Sequence, residues 1–169
     1  MVESSNGIVI RPAAPDDSAG ISRVFRESAE HHARLSPDRY YVPDDSFVIE
    51  RYGKGEQHPV RPLGETLTLV AEIDRVIAGF VDARLERPFD AMHRATILCY
   101  IADVAVLKAF QGRGVGEQLL RAAEEWGRMK GAEFMSLEYL AANERAAKLY
   151  ERLGYSRAAV VALKRIGGS

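Results

Sequence analysis

The run Gln111-Gly112-Arg113-Gly114-Val115-Gly116 constrains this chain more than any other stretch. It stands between an apolar segment ending at Val104-Ala105-Val106 and a helical pattern beginning near Glu117. Glycines gathered at a strand-to-helix junction let the backbone turn sharply and let a ligand approach with no Cβ in the way. The helix that follows directs its unpaired N–H groups, and the positive end of its dipole, at whatever occupies the turn. A phosphate suits that place best. The spacing therefore predicts a pyrophosphate site. The run is not a Walker A loop, which ends Gly-Lys-Ser/Thr, and it is not a full G-x-G-x-x-G dinucleotide fingerprint.

The pattern on either side reads as one mixed α/β domain over residues 1–169. Ile8 to Arg11 is a short strand, and Pro15-Asp16-Asp17 opens a helix with Ile21, Val24 and Phe25 spaced for one buried face. Thr66 to Ile73 alternates as a half-buried strand, Asp74-Arg75 turns it into a second strand from Val76 to Leu85, and Thr96 to Val106 is apolar enough for a central strand covered on both faces. Leu119, Leu120, Ala123 and Trp126 follow helical spacing until Gly131. Phe134 to Leu140 reads as a strand, Asn143 caps a helix that Gly154 ends, and Tyr155 to Lys164 reads as a last strand. Between His31 and Gly64 the sequence mixes aromatics, prolines and charges, with a short helix expected from Phe47 to Tyr52 and a loop from Gly53 to Gly64. Arg87 to Arg94 reads as a polar connection and Gly167-Gly168-Ser169 as a frayed tail.

Composition removes several classes of function. A net charge of -1 with no basic stripe gives no electrostatic case for nucleic acid. The polar N-terminus with Glu3 is no signal peptide, and no apolar run approaches membrane-spanning length, so a cytoplasmic protein with no membrane partner is expected. Cys99 is the single cysteine and stands in an apolar run; it reads as a small buried hydrophobe in a reducing compartment. The pair His31-His32 lacks a third ligand at a recognisable spacing, so no metal is expected.

Further along, the chain runs Asn143-Glu144-Arg145-Ala146-Ala147-Lys148-Leu149-Tyr150-Glu151-Arg152-Leu153-Gly154-Tyr155. With the glycine run this segment resembles the GNAT superfamily, the acetyl-CoA-dependent N-acetyltransferases. The glycine run matches the Q/R-x-x-G-x-G/A motif, and the stretch from Asn143 to Tyr155 is similar to N-x-x-A-x-x-x-Y-x-x-x-G-F/Y. The clear resemblance runs from mid-chain to Tyr155. It implies a mixed, mostly antiparallel central sheet of about six to seven strands flanked by helices, with a βαβ core at about 96–155 that binds coenzyme A. Acceptor-side elements are then expected at about 15–64.

What the resemblance implies can be carried over residue by residue. Acetyl-CoA would enter as co-substrate and an amine as acceptor, joined in a ternary complex. The loop amides of Gly112, Arg113, Gly114, Val115 and Gly116, with Glu117 just beyond and Gln111 alongside, would hold the pyrophosphate. Val104, Ala105 and Val106 would pair their backbone with the pantetheine, and the Val104 N–H would face the thioester oxygen. Asn143 matches the family asparagine and doubles as an N-cap, and Tyr150 matches the tyrosine that protonates the departing sulfur. The base has three candidates: Asp103, preferred because it interrupts an apolar run, then Glu138 and Glu72. His31, His32, Arg34, Arg39, Tyr40 and Tyr41 are candidate acceptor lining.

Two departures stand out. The C-terminal region is short, leaving the acceptor pocket open to completion by a second subunit, and homodimers are common among the proteins this chain resembles. The Asp74-Arg75 turn lacks the usual glycine. Two other classes stay open: a non-catalytic CoA-binding sensor on the same fold, and a dinucleotide enzyme with the glycine run as its Rossmann turn. The latter expects an acidic residue ending a second strand, which Glu133 or Glu138 supplies only loosely.

Overall fold

The structure is a computed structural model that describes residues 2–3, 7–44, 46, 65–87, 96–164 and 166. In chain order its elements are β1 (Val2–Glu3), β2 (Val9–Pro12), a 3-10 turn (Pro15–Asp17), α1 (Ser18–Leu35), β3 (Thr66–Ile73), β4 (Val76–Glu86) and β5 (Leu98–Val106). A second 3-10 turn (Lys108–Phe110), α2 (Val115–Met129), β6 (Phe134–Leu137) and α3 (Glu144–Arg152) follow. The strands form one six-stranded sheet whose spatial order is their chain order. Every neighbouring pair is antiparallel except β5 and β6, which are parallel. A parallel pair needs a crossover, and α2 supplies it.

The sheet is covered on both faces. On one side Ile21 and Val24 of α1 pack against Val70, Ile77, Phe80 and Leu107. On the other, Leu119, Leu120 and Ala123 of α2 and Tyr150 of α3 pack against Leu69, Ala71, Val81, Ala83 and Ile101. This is why β3 and β4 bury consecutive residues at their centres instead of alternating cleanly. Cys99 is buried against α2, where Gly127 has no side chain: a Cβ there would come within 2.8 Å of the Cys99 Cβ.

Arg11 ties β2 to β3 and to the turn that starts α1. Its guanidinium donates to both carboxylate oxygens of Asp17, at 2.6 and 2.8 Å, and to Glu72 on β3 at 2.8 Å. Asp17 in turn accepts from the Ala14 N–H at 2.8 Å, closing the turn that starts α1. The Arg11 hydrogen bonds hold the Asp17 carboxyl below its ordinary range.

Several expectations shift. Residues His31 and His32 belong to α1, whose single helix runs on to Leu35. The strand expected to Leu140 stops at Leu137, and Tyr155 to Lys164 pairs with no strand among the described residues. Val160, Val161 and Leu163 there are exposed, so this stretch lacks the burial that would make its alternation a strand. The Asp74-Arg75 turn forms without glycine, with φ of 50° and 63°; aspartate tolerates this region well, and the two positive values suit a tight hairpin. The expectations for Phe47 to Tyr52, for Gly53 to Gly64, for most of Arg87 to Arg94 and for Gly167 to Ser169 lie outside the described residues.

Asp17 is charged more readily folded than unfolded, so it stabilises the protein above its ordinary value of ~3.9 and that stability is lost as pH falls through its lower folded value. Arg11→Met should cost about 2–3 kcal/mol at pH 7 by leaving the buried Asp17 carboxylate without its cation. Urea melts from pH 7 to pH 3 check this: the variant's penalty should shrink toward the acid end.

Candidate active site

The β5–β6 pairing covers only Leu98 to Ile101 against Phe134 to Leu137. Beyond that point the two strands diverge, and the sheet opens into a cleft of about 1370 Å³. A register shift between β4 and β5 marks the same place, since Asp82 pairs with Asp103 while Ala83 pairs with Ile101, leaving Ala102 as the extra residue. A bulge bends its strand and increases local twist, which helps β5 leave β6.

The hydrogen-bond phase decides what faces the cleft. Leu107 N–H donates to Ala78 O on β4 at 2.9 Å, so Leu107 and Ala78 are a bonded pair. Antiparallel alternation then turns the N–H and C=O of Val106 and Val104 away from β4, toward the open side. The Gln111 side chain already answers one of these groups, donating to Val106 O at 3.0 Å, and Arg145 of α3 in turn donates to Gln111 Oε1.

At the end of this exposed edge comes the glycine loop. Gly112 and Gly114 have φ of 80° and 83°, values that favour glycine, and Gly114 is the N-cap of α2. Gly112, Gly114, Val115, Gly116 and Glu117 line the cleft, so the start of α2 points into it. The Arg113 guanidinium does not: it lies 5.4 Å over the Phe110 ring, leaving only its backbone for the loop. The Glu117 carboxylate is held by Arg121 and Arg152, which keep its pKa low. Sequence reading missed the cations around the loop, Lys108, Arg145, Lys148 and Arg152. The signal lay in α3, where Arg145, Lys148 and Arg152 recur at helical spacing.

The remaining expected residues divide. Asn143 caps α3, accepting from Ala146 N–H at 3.1 Å, and lines the cleft. Tyr150 also lines it and is 8% exposed, its ring 5.3 Å from Tyr139 and 5.7 Å from Tyr155. Burial, then Tyr139, pushes its phenol up to about 12. Asp103, Glu138, His31, His32 and Arg34 are at the cleft as well. Asp103 stands opposite Asp82, which accepts from the Thr68 hydroxyl at 3.0 Å. Glu72, by contrast, is engaged with Arg11 and does not line the cleft, which removes it as a base. Arg39, Tyr40 and Tyr41 do not line it either; Arg39 stacks 5.4 Å over Tyr40, which packs beside His32.

The two faces of the sheet receive different chemistry. Phe80, opposite Ala105, packs with α1, so by alternation Asp82 and its partner Asp103 project to the α1 side. Tyr150 packs with α2 on the other side. The opening between β5 and β6 joins the two.

The chain belongs to the acetyltransferase (GNAT) family, whose model matches residues 29–155. An aminoglycoside N(6')-acetyltransferase type 1 of Salmonella typhimurium strain LT2 is 26% identical over 113 residues, covering 67% of this chain and 74% of that protein. An N-alpha-acetyltransferase of Sulfurisphaera tokodaii is 29% identical over 138 residues, covering 76% and 83%. Among solved structures, a mutant of the BH1408 protein from Bacillus halodurans superimposes with a TM-score of 0.79 at 20% identity, over 94% of this chain and 99% of that one. Aminoglycoside N-acetyltransferase AAC(6')-Iy in complex with CoA gives 0.71 at 20% identity, over 98% and 99%.

Gly114→Val places a β-branched residue at φ of 83°. That conformation should cost roughly 1–2 kcal/mol or more and lower the melting temperature by several degrees; Gly7→Val, at a positive φ near the N-terminus, is the matched control for backbone strain away from the cleft.

Proposed function

From membership in the GNAT acetyltransferase family we propose that this protein transfers an acetyl group from acetyl-CoA to a primary amine by direct attack in a ternary complex. The observation that carries the reading is the open backbone edge of β5, which leads straight into a glycine loop at a helix N-terminus. A pantetheine arm is a chain of amides that can lie along such an edge as an added strand, and its pyrophosphate then meets the amides of Gly112, Arg113, Gly114, Val115, Gly116 and Glu117. Lys108, Arg145 and Lys148 supply positive charge beside that anion.

The roles follow from position. The backbones of Val104, Ala105 and Val106 form the seat for the arm, with Gln111 closing its lower end and Asn143 its side. The Val104 N–H points into the opening, where it stabilises the charge that develops on the thioester oxygen. Tyr150, buried on the α2 side, keeps its proton at neutral pH and gives it to the departing sulfur, whose free thiol value is ~8.5. Asp103 and Glu138 stand at the same cleft, where carboxylates hold an arriving ammonium. A CoA sensor without chemistry would have no use for a buried phenol at that point.

A second copy of the chain completes the C-terminal side of this reading. Val160, Val161, Leu163 and Ile166 are exposed in succession and gain by being covered. Sedimentation at micromolar concentration should give a homodimer; a monomer overturns that assignment.

Acetyl-CoA and CoA should each raise the melting point by a few degrees, since a ligand at ~100 times its Kd stabilises by ~2.7 kcal/mol. Stabilisation by NAD or ATP alone removes the transferase reading. Tyr150→Phe should keep acetyl-CoA binding while kcat falls ~10²–10⁴-fold in a thiol-release assay.

A further inference from the structure

Two helices begin at the cleft, and their N-termini are finished differently. Asn143 caps α3 with its own side chain, accepting the Ala146 N–H. Gly114 caps α2 and has no side chain to offer. Glu117 is the third residue of α2 and lines the cleft. A glutamate at that position can turn back and accept the N–H of the capping residue, closing a capping box. Here that N–H belongs to Gly114, one of the amides assigned above to the pyrophosphate. A Glu117 that capped its own helix would therefore put a carboxylate where the anion binds.

The carboxylate is held elsewhere. Arg121, one turn on, donates through Nε and Nη2 to Glu117 Oε1 at 3.1 and 2.9 Å. Arg152, in the last turn of α3, donates to Glu117 Oε2 at 3.3 Å. Each carboxylate oxygen thus has its own guanidinium, and the two come from different helices. The arginine side chains are 61% and 64% exposed. Pairs so exposed add little to the stability of a fold, so stability does not account for two cations meeting on one glutamate.

We infer that Arg121 and Arg152 hold the Glu117 side chain away from the N-terminus of α2 and so keep the phosphate loop open. This rests on the acetyl-CoA reading above. The two arginines are positioning residues, acting on the incoming anion through Glu117 and not by touching it. Without them the carboxylate turns to the Gly114 N–H, drawn by the same unpaired N–H groups and helix dipole that attract a phosphate.

The test uses the whole chain, with CoA as the probe in a calorimetric titration and no acceptor. Arg121→Gln combined with Arg152→Gln should weaken CoA binding ~5–10-fold, the size of one capping contact. The ligand-free melting point should barely move. Adding Glu117→Ala, which leaves the backbone amides in place and removes the competing carboxylate, should return the affinity to that of Glu117→Ala alone. In the ligand-free protein the two arginine substitutions should also slow hydrogen exchange at the Gly114 amide, which the carboxylate then covers. A loss of affinity that persists at full size in the Glu117→Ala background means that the arginines meet the phosphates directly, and overturns the assignment. Unchanged affinity, or unchanged exchange at Gly114, in the arginine double variant equally overturns it while the acetyl-CoA reading stands. A wild type that does not bind CoA removes that reading, and the role of the arginines with it.

Discussion

A strand inside a sheet has all its backbone groups answered by its neighbours, and β5 is answered on its second side over only half its length. From Leu98 to Ile101 it is bonded on both sides; from there to Val106 its second side opens on the cleft. Backbone N–H and C=O groups left without partners are costly wherever water is excluded, so such an edge is tolerable only if water, a side chain or a ligand fills it. Gln111 takes one carbonyl. The rest of the architecture serves to hold this edge in place: β4 grips its other side, α2 supplies the crossover that sets β6 at a distance, and the bulge at Ala102 directs the split.

Because the split passes through the sheet, the two halves of a transfer reaction can be served from opposite faces. The α1 side carries carboxylates and an imidazole, the α2 side a buried phenol. A nucleophile and a leaving group occupy different corners of the tetrahedral centre, so groups reaching it from two directions can serve both. A flat sheet would offer only one of those approaches. Glu27 helps to keep the α1 side in register, accepting from the Lys108 N–H just past the end of β5 at 2.5 Å.

Much of this was legible in the residues. The glycine run showed where a strand had to become a helix, and Asn143 and Gly154 marked the ends of α3 because caps act through local bonds. The face on which Tyr150 lies was readable from its spacing with Ala146 and Leu153. What failed depended on contacts far apart in sequence. Glu72 resembled a base until Arg11, from another strand, claimed it. The pattern from Tyr155 to Lys164 alternated like a strand but had no neighbour to pair with among the described residues.

The connectivity of β5 and β6 also bears on the order in which the molecule assembles. The pairing from β3 through β5 is antiparallel between strands consecutive in the chain, and the turn at Asp74-Arg75 closes the first of these hairpins locally. The parallel pair closes only after α2 has formed and folded back, a larger loop to shut. One wall of the cleft is thus early and the other late. Where the late wall closes after the folding barrier, a molecule bound between the two slows unfolding more than it hastens folding.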